Sequence, residues 1–326
     1  MIEILSDAPL ATVQDFGRPD RRRYGVGTSG AMDRLALATG NILLGNPEDA
    51  AGIEVPLFPF RVRLDADLDI AVTGADARAT LDGAPLPPWW RIGARAGQEL
   101  ELRHPLRGAR AYLTLSGGID VPRVLGARAT QLRGAIGGFE GRALKRGDRV
   151  PTGRIGTAAA PLGAVPPDAV LTLPAPSGAA EGDIAVRVLP VGEYAELTPE
   201  SRAAFWRSGW VVTPQSNRAG YRLGGAVLET VRKLEMRSYG VVPGLIQLPP
   251  GGAPIIQLSD ANATGGYPKI GTVIEADLWR LGQAPIGATL RFVEVDYQAA
   301  RAAWLAVEDY LTKLRRHAAW QGAAGR

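Results

Sequence analysis

Glycine and proline interrupt this chain so often that long helices have little room to form. They supply 41 and 25 of its 326 residues, about a fifth, and both break regular secondary structure. Such punctuation favours many short strands joined by turns. The runs between the breaks agree with this. Ile2 to Leu5, Phe60 to Leu64, Leu68 to Val72, Ala79 to Leu81, Glu99 to Leu102 and Ala109 to Leu115 are short and apolar or alternating. Asp82-Gly83 and Gly117-Gly118 mark turns between them. This is the rhythm of a β-barrel or sandwich. One helix interrupts it: Met32, Leu35, Ala36, Ile42 and Leu43 predict a helix from Ala31 to Leu44, with Ser29 just upstream and Gly45-Asn46 as a stop.

The pattern recurs further along. Strands are expected at Ala185 to Pro190, Trp210 to Thr213, Leu245 to Leu248, Ile255 to Leu258 and Thr289 to Val295. A helix should start at Thr198, with Pro199 in its first turn, and stop at Gly209. A second is expected over Val273 to Leu281. From Asp296 the tail reads as a helix whose stripe of Tyr297, Ala300, Trp304, Val307, Leu311 and Leu314 serves core or subunit packing, making self-association plausible. Between the two strand-rich halves, Arg154 to Gly182 is rich in Ala, Pro and Gly, with one short strand expected at Ala169 to Leu173. The expected organisation is therefore 1–153, a connection 154–182, a second domain 183–295, and a helical tail 296–326. The fold class is mainly β (α+β).

Charge and composition narrow the functional classes. The 46% hydrophobic and 21% charged content suits a globular protein with a sizeable core. The net charge of +4 comes from Lys and Arg scattered among Asp and Glu, so no basic, aromatic-laced nucleic-acid surface is expected. Arg18 to Arg23 is the richest stretch and reads as a solvated loop or anion contact. With no cysteine, disulfides, thiolate metal sites and a Cys nucleophile are excluded. His104 and His317 are the only histidines, so neither a His-rich metal site nor a Ser-His triad is expected. The opening MIEILSDAPLATVQD lacks the pattern of a signal peptide, and no apolar run reaches the length of a membrane span. The expectation is a cytoplasmic protein without metal.

Several polar, glycine-bearing segments could carry chemistry. T12-V-Q-D-F-G-R18 and G27-T-S-G-A-M-D33 precede the first helix, where backbone N–H groups favour anions and where Ser29 and Asp33 equally suit caps. G117-G-I-D120, R128-A-T130 and G137-G-F-E-G-R142 offer Arg128 or Arg142 as a carboxylate or phosphate clamp, or as surface arginines beside turns. S216-N-R-A-G-Y-R222 fits anion recognition and an ordinary Asn-Arg turn alike. The densest cluster is G244-L-I-Q247 followed by Q257-L-S-D260-A-N-A-T-G-G-Y-P-K269. There Asp260 and Lys269 can form a proton-transfer pair, and Gly265 and Gly266 can aim N–H groups at an oxyanion. Spacing alone leaves the substrate open.

Taken together, T12-V-Q-D-F-G-R18, S29-G-A-M-D33, L44-G-N46, T73-G-A-D76, G117-G-I-D120, G137-G-F-E-G-R-A-L144, N217-R-A-G-Y-R-L223, G240-V-V-P-G-L-I-Q-L-P-P250 and T264-G-G-Y-P-K269 closely resemble the family named for allophanate hydrolase subunit 2. That family includes the subunit-C proteins of 5-oxoprolinase, the antagonist of a sporulation-kinase inhibitor, and the carboxyltransferase portion of urea carboxylases. The resemblance implies two cyclophilin-like β-barrel domains with a few peripheral helices, and a subunit-B-like companion. It also implies a third, ATP-handling subunit when the substrate is the lactam 5-oxoproline. Carried onto this sequence, the catalytic candidates are Asp260, Lys269, Tyr267 and Thr264. The substrate-binding candidates are Gln14, Ser29, Met32, Asp33, Arg142, Arg218, Tyr221, Gln247, Asn262, Gly265 and Gly266. Asn46 is a further family position.

The chain also departs from the family pattern. It reads V55-P-L-F-P-F60 where a glycine turn is usual, A127-R-A-T130 for Ser-Arg-Ser-Thr, and N262-A-T264 for Gln-Thr-Thr. Three functions are therefore in play: an ATP-dependent lactam-opening component, a carboxyltransferase component acting on urea or a similar amide, and a non-enzymatic regulator of a subunit-B-like protein. Since no Met-Lys attachment pattern is present, biotin in the second case would ride on a separate carrier.

Overall fold

The computed structural model describes residues 1–153, 160–174 and 176–324. The opening of the Ala/Pro/Gly-rich connection, 154–159, and residue 175 lie outside the described residues. The chain divides into two compact units that interleave in sequence: Met1–Arg18, Ser29–Val170 and Glu308–Arg326 form one, and Pro19–Thr28 with Leu171–Val307 forms the other.

The first unit is built from two antiparallel sheets of six strands. One runs Arg149–Val150, Ile2–Ile4, Phe60–Leu64, Glu99–Leu102, Thr80–Leu81, Ala84–Pro85 in spatial order; the other runs Leu162–Gly163, Trp90–Ala94, Leu68–Asp76, Arg107–Leu115, Gly52–Val55, Thr12–Gln14. The hydrogen-bonded strands thus make two sheets here and not one continuous ring. Ile2, Ile4, Val62 and Leu100 from the first sheet join Ile53, Ile70, Val72 and Leu113 from the second in a single buried cluster. Each large apolar side chain so removed from water contributes roughly 1.5–3 kcal/mol. Asp82 and Gly83, both at positive φ (48° and 81°), make the tight turn between Thr80–Leu81 and Ala84–Pro85.

The helix Arg34–Leu43 lies against the strands Leu68–Asp76 and Arg107–Leu115. It begins three residues later than the spacing predicts. Asp33, not Ser29, is its N-cap and accepts from the Ala36 N–H at 2.8 Å; Ser29 is drawn out of the helix into left-handed backbone (φ 54°). A side chain at Gly40 would place Cβ 2.5 Å from the Thr114 hydroxyl, so the glycine sets how closely helix and sheet approach. Gly40→Ala is therefore expected to destabilise the protein by about 1–3 kcal/mol through overpacking, despite alanine's better helix propensity. Urea unfolding of Gly40→Ala, with and without Thr114→Ala to reopen the space, checks this. No rescue by the second change would refute the packing account.

The second unit is a closed barrel. Its strands run Ile184–Leu189, Lys269–Val273, Leu245–Gln247, Ile255–Gln257, Gly220–Gly224, Trp210–Val212, Thr289–Glu294, and back to the first. Neighbours are antiparallel except at the seam, where Ile184–Leu189 and Thr289–Glu294 pair in parallel, Ile184 opposite Leu290. Arg291 and Asp183 form an ion pair at 2.7 Å beside that seam. Thr198 caps the helix Pro199–Arg207 as expected, and that helix brings Phe205 against Trp210 and Phe292.

Two sequence expectations are corrected here. The helix anticipated over Val273 to Leu281 is the end of the strand Lys269–Val273, then a 3₁₀ turn Glu275–Asp277, then a short helix Leu278–Gly282; Ile270, Val273 and Ile274 are all buried, which hides strand period. The strand anticipated at Ala169 to Leu173 is replaced by a single helical turn, Pro167–Val170, for which proline's fixed φ is already suited. The tail is the helix Tyr297–Ala324. Val307, Leu311 and Leu314 of its predicted stripe are buried, whereas Tyr297 and Trp304 are exposed. Among the described residues no helix is long and apolar enough to cross a membrane.

Candidate functional site

In the barrel, the strand Lys269–Val273 starts with a lysine that is only 2% exposed. Burying an ammonium without partners is costly, and this one is held from two sides. Its Nζ donates to the Gly265 carbonyl at 2.7 Å and lies 3.0 Å from the centroid of the Tyr239 ring, where the π face stabilises a cation. Burial lowers its pKa from the ordinary lysine value, partly opposed by the negative charge of Glu193. Glu193 binds both partners of the arrangement: its Oε2 accepts from the Lys269 backbone N–H at 2.7 Å and from the Tyr239 hydroxyl at 3.0 Å. Burial, and then the bond to Glu193, push the Tyr239 phenol up to about 12.

Gln247 stands opposite Lys269 on the adjacent strand, and directly paired residues of antiparallel strands point to the same side of a sheet. It is buried, and its Nε2 has no hydrogen-bond partner among the described residues. A Cβ added at Gly265 would fall 2.7 Å from that nitrogen; the glycine leaves room beside the amide. Lys269 and Gln247 thus bring side-chain N–H donors to either side of Gly265, and such donors can stabilise charge building on a carbonyl oxygen.

The proton-transfer pair expected between Asp260 and Lys269 does not form. Asp260 is paired instead with Arg218, whose Nε and Nη2 approach its carboxylate at 3.0 and 3.4 Å, and its backbone N–H donates to the Arg218 carbonyl. Asp260 neutralises Arg218, so neither is set up as the free base or anion clamp that spacing suggested. Tyr221 points into the core and donates to the Ala284 carbonyl at 3.0 Å. Thr264 and Gly265 pair with Tyr239–Gly240 in a two-stranded ribbon. Asn262, Thr264 and Tyr267 are exposed, and Gly266 runs beside Ser238.

The remaining named residues belong to the first unit. Gln14 is fully buried, its Nε2 donating to Thr12 Oγ1 and the Thr130 carbonyl, and Ser29 is buried beside the turn at Gly30. The Met32 N–H donates to Glu54 at 2.8 Å, the Asp33 N–H donates to the Tyr112 hydroxyl at 2.7 Å, and that hydroxyl donates to Glu54 at 2.8 Å. Burial, then the charges of Glu54 and Asp33, hold Tyr112 protonated well above its usual range. The anion expected near this helix start is supplied by the chain's own Asp33 and Glu54.

Arg142 is likewise engaged internally, by Asp148 at 2.7 Å and Glu140 at 2.6 Å. Burial works against the charge of Asp148, but the Arg142 guanidinium and the Lys145 backbone N–H together keep its pKa below the usual value. Arg128 donates to Asp120 and to the Val121 carbonyl, and Asn46 ties the Leu115 carbonyl to the Gly117 N–H. Arg18, read as part of a solvated loop, is buried and donates to the Ala129 carbonyl at 2.5 Å. The glycines of G137-G-F-E-G are packing residues too: a Cβ at Gly138 would fall on the Thr130 hydroxyl.

Sequence reasoning passed over Glu193, Tyr239, Glu54 and Tyr112. One signal was available for the barrel cluster. Lysine occurs at only four positions, 145, 233, 269 and 313, and Lys269 is the one that closes the densest polar, glycine-bearing stretch. Among the described residues no group of three or more His, Cys, Asp or Glu could hold a metal ion.

A family model described as carboxyltransferase domain, subdomain A and B, matches residues 24–294. The chain is 40% identical to the 5-oxoprolinase subunit-C protein of Haemophilus influenzae over 323 residues, spanning 97% of this chain and 98% of that one. It is also 40% identical to the 5-oxoprolinase subunit-C protein of Escherichia coli over 314 residues, 96% and 97% of the two chains. Against the urea amidolyase of Lachancea kluyveri it is 34% identical over 313 residues, covering 92% of this chain but 17% of that much longer one. The crystal structure of the K. lactis urea amidolyase superposes with a TM-score of 0.82 at 29% identity, covering 95% of this chain and 20% of that one.

Proposed function

Because the chain belongs to the family of carboxyltransferase domains with subdomains A and B, we propose that it is one component of an ATP-dependent 5-oxoprolinase-type enzyme that opens a lactam together with partner subunits. The partners are a subunit-B-like companion and a third, ATP-handling protein. End-to-end likeness to the two bacterial 5-oxoprolinase components supports this reading over one drawn from a fragment of a larger enzyme. The observation that carries it within the molecule is the buried Lys269 paired across the barrel strands with Gln247, whose Nε2 has no hydrogen-bond partner among the described residues.

A lactam is a resonance-stabilised amide, so water alone attacks it slowly. Transfer of the terminal phosphoryl group of ATP to the carbonyl oxygen makes that oxygen a leaving group. Water adds at the carbon and the ring C–N bond breaks to leave an acyl phosphate, from which a second water then displaces the phosphate. The products are the open amino acid, ADP and phosphate. In this sequence Gln247 Nε2 and Lys269 Nζ donate hydrogen bonds to the oxygen on which negative charge builds. Lys269, its pKa lowered by burial, gives a proton to the departing nitrogen.

Combining the chain with its two companions should yield ATP hydrolysis that depends on 5-oxoproline and vanishes when any one of the three is omitted. If a complete assembly consumes no 5-oxoproline while the assembly containing the Escherichia coli relative does, the reading fails. Within an active assembly, Gln247→Ala should lower kcat and kcat/KM together by about 10²-fold with a smaller change in KM, as loss of a donor to developing negative charge does. The second reading, a carboxyltransferase acting on urea or a similar amide with biotin on a separate carrier, is favoured by the likeness to urea amidolyase. It requires decarboxylation of carboxybiotin in the presence of urea.

A further inference from the structure

Lys269 is 2% exposed, yet the residue covering it, Tyr239, is 40% exposed. The ammonium lies 3.0 Å from the centroid of a ring that itself reaches solvent. Little backbone holds that ring in place. Tyr239–Gly240 is a two-residue strand that among the described residues pairs only with Thr264–Gly265, and residues 231–238 leading to it form neither helix nor strand. What fixes the ring is its hydroxyl, bound by both oxygens of Glu193 at 3.1 and 3.0 Å.

Glu193 is itself anchored to the lysine it guards. Its Oε2 takes the Lys269 backbone N–H at 2.7 Å. The residue before it, Gly192, has a φ of 56°, and a Cβ there would come within 2.6 Å of the Lys269 carbonyl oxygen. The turn bearing Glu193 thus presses against the start of the strand bearing Lys269.

We propose that Glu193 is a positioning residue: it latches Tyr239 across the Lys269 ammonium, and a substrate amide reaches Lys269 and Gln247 only when the phenol is released and swings aside. This rests on the assignment of Lys269 and Gln247 to an amide site. The latch itself is a property of the isolated chain and does not require the reaction to be lactam opening. The geometry suits a small, neutral amide: its carbonyl oxygen can replace the π face as the partner of the ammonium and also take up the free Gln247 N–H.

The test uses the intact chain and trinitrobenzenesulfonate, which modifies unprotonated lysine, with each site followed by peptide mass spectrometry. Lys145, Lys233 and Lys313 serve as internal references. Lys269 should react at least about tenfold more slowly than these in the unaltered protein. Tyr239→Phe keeps the ring, loses the latch and leaves the Lys269 backbone bond to Glu193 intact; it should speed Lys269 labelling several-fold, and Glu193→Ala by about tenfold or more, with the references unchanged. Glu193→Gln keeps one oxygen able to accept from both the phenol and the backbone N–H, and should restore protection. Unchanged labelling of Lys269 in both Tyr239→Phe and Glu193→Ala would overturn the latch, as would a Gln variant no better protected than the Ala variant. Faster labelling alongside an assembly that consumes no 5-oxoproline would remove the proposed reaction and leave the latch standing.

Discussion

Lys269→Met is expected to lower 5-oxoproline-dependent ATP hydrolysis in the assembled enzyme by about 10³-fold, within the range associated with loss of a general acid or of a charge-stabilising donor. Methionine keeps the length and apolar volume of the lysine stem. The change therefore removes the charge, the hydrogen bond to the Gly265 carbonyl and the contact with the Tyr239 ring without opening a large cavity. It also relieves the desolvation of a buried ammonium, so the barrel should unfold at the same urea concentration as before or a higher one. Activity and stability should part company. A variant that keeps more than a tenth of the activity would show that Lys269 takes no part in the chemistry. One that loses activity because the barrel unfolds would mark it as structural.

The largest stability effect is expected at Asp277. Its carboxylate is fully buried and accepts four hydrogen bonds: from Arg187 N at 2.8 Å, Nε at 2.8 Å and Nη2 at 2.6 Å, and from Arg280 Nε at 3.1 Å. One acid thus answers two guanidinium groups and a strand N–H. Asp277→Ala would leave those donors underpaired where water reaches them poorly. Breaking a buried pair from one side costs about 3–5 kcal/mol, which should appear as a large fall in the urea midpoint of the barrel unit. Asp277→Asn keeps an acceptor oxygen but not the charge and should fall between. A loss below about 1 kcal/mol for the alanine variant would mean that the arginines find other partners.

Much of the fold could be read from residue order because its signals are local. The strand at Phe60–Leu64 alternates buried and exposed positions, the Asp82-Gly83 turn has a geometry few other residues accept, and Thr198-Pro199 announces a helix start. The strands Thr12–Gln14 and Gly52–Val55 were not foreseen because they are buried along their whole length, which erases the period of two that marks a strand with one wet face. Lys269 and Gln247 were legible as chemistry-bearing residues in a glycine-rich stretch. Their neighbours were not: Glu193 and Tyr239 lie far from Lys269 along the chain and meet it only once the barrel has formed. Asp260 was matched to Lys269 by proximity in sequence, whereas an arginine more than forty positions earlier competes for its charge. Many of the motif glycines and arginines that carried the family resemblance turn out to hold backbone segments together, at Gly138, Arg128 and Arg142. A family pattern records architecture and chemistry alike, and residue identity alone does not separate them.

The parallel seam dictates an order of events during synthesis. The strand Ile184–Leu189 finds one of its two neighbours in Lys269–Val273 and the other in Thr289–Glu294, so it must wait for distant sequence to emerge before either edge is covered. Until then the nascent barrel presents unpaired N–H and C=O groups able to recruit other chains. Distant pairings of this kind also make folding slow. A ribosome stalled shortly before Thr289 would hold a barrel still open along the edge of Ile184–Leu189 that Thr289–Glu294 later covers.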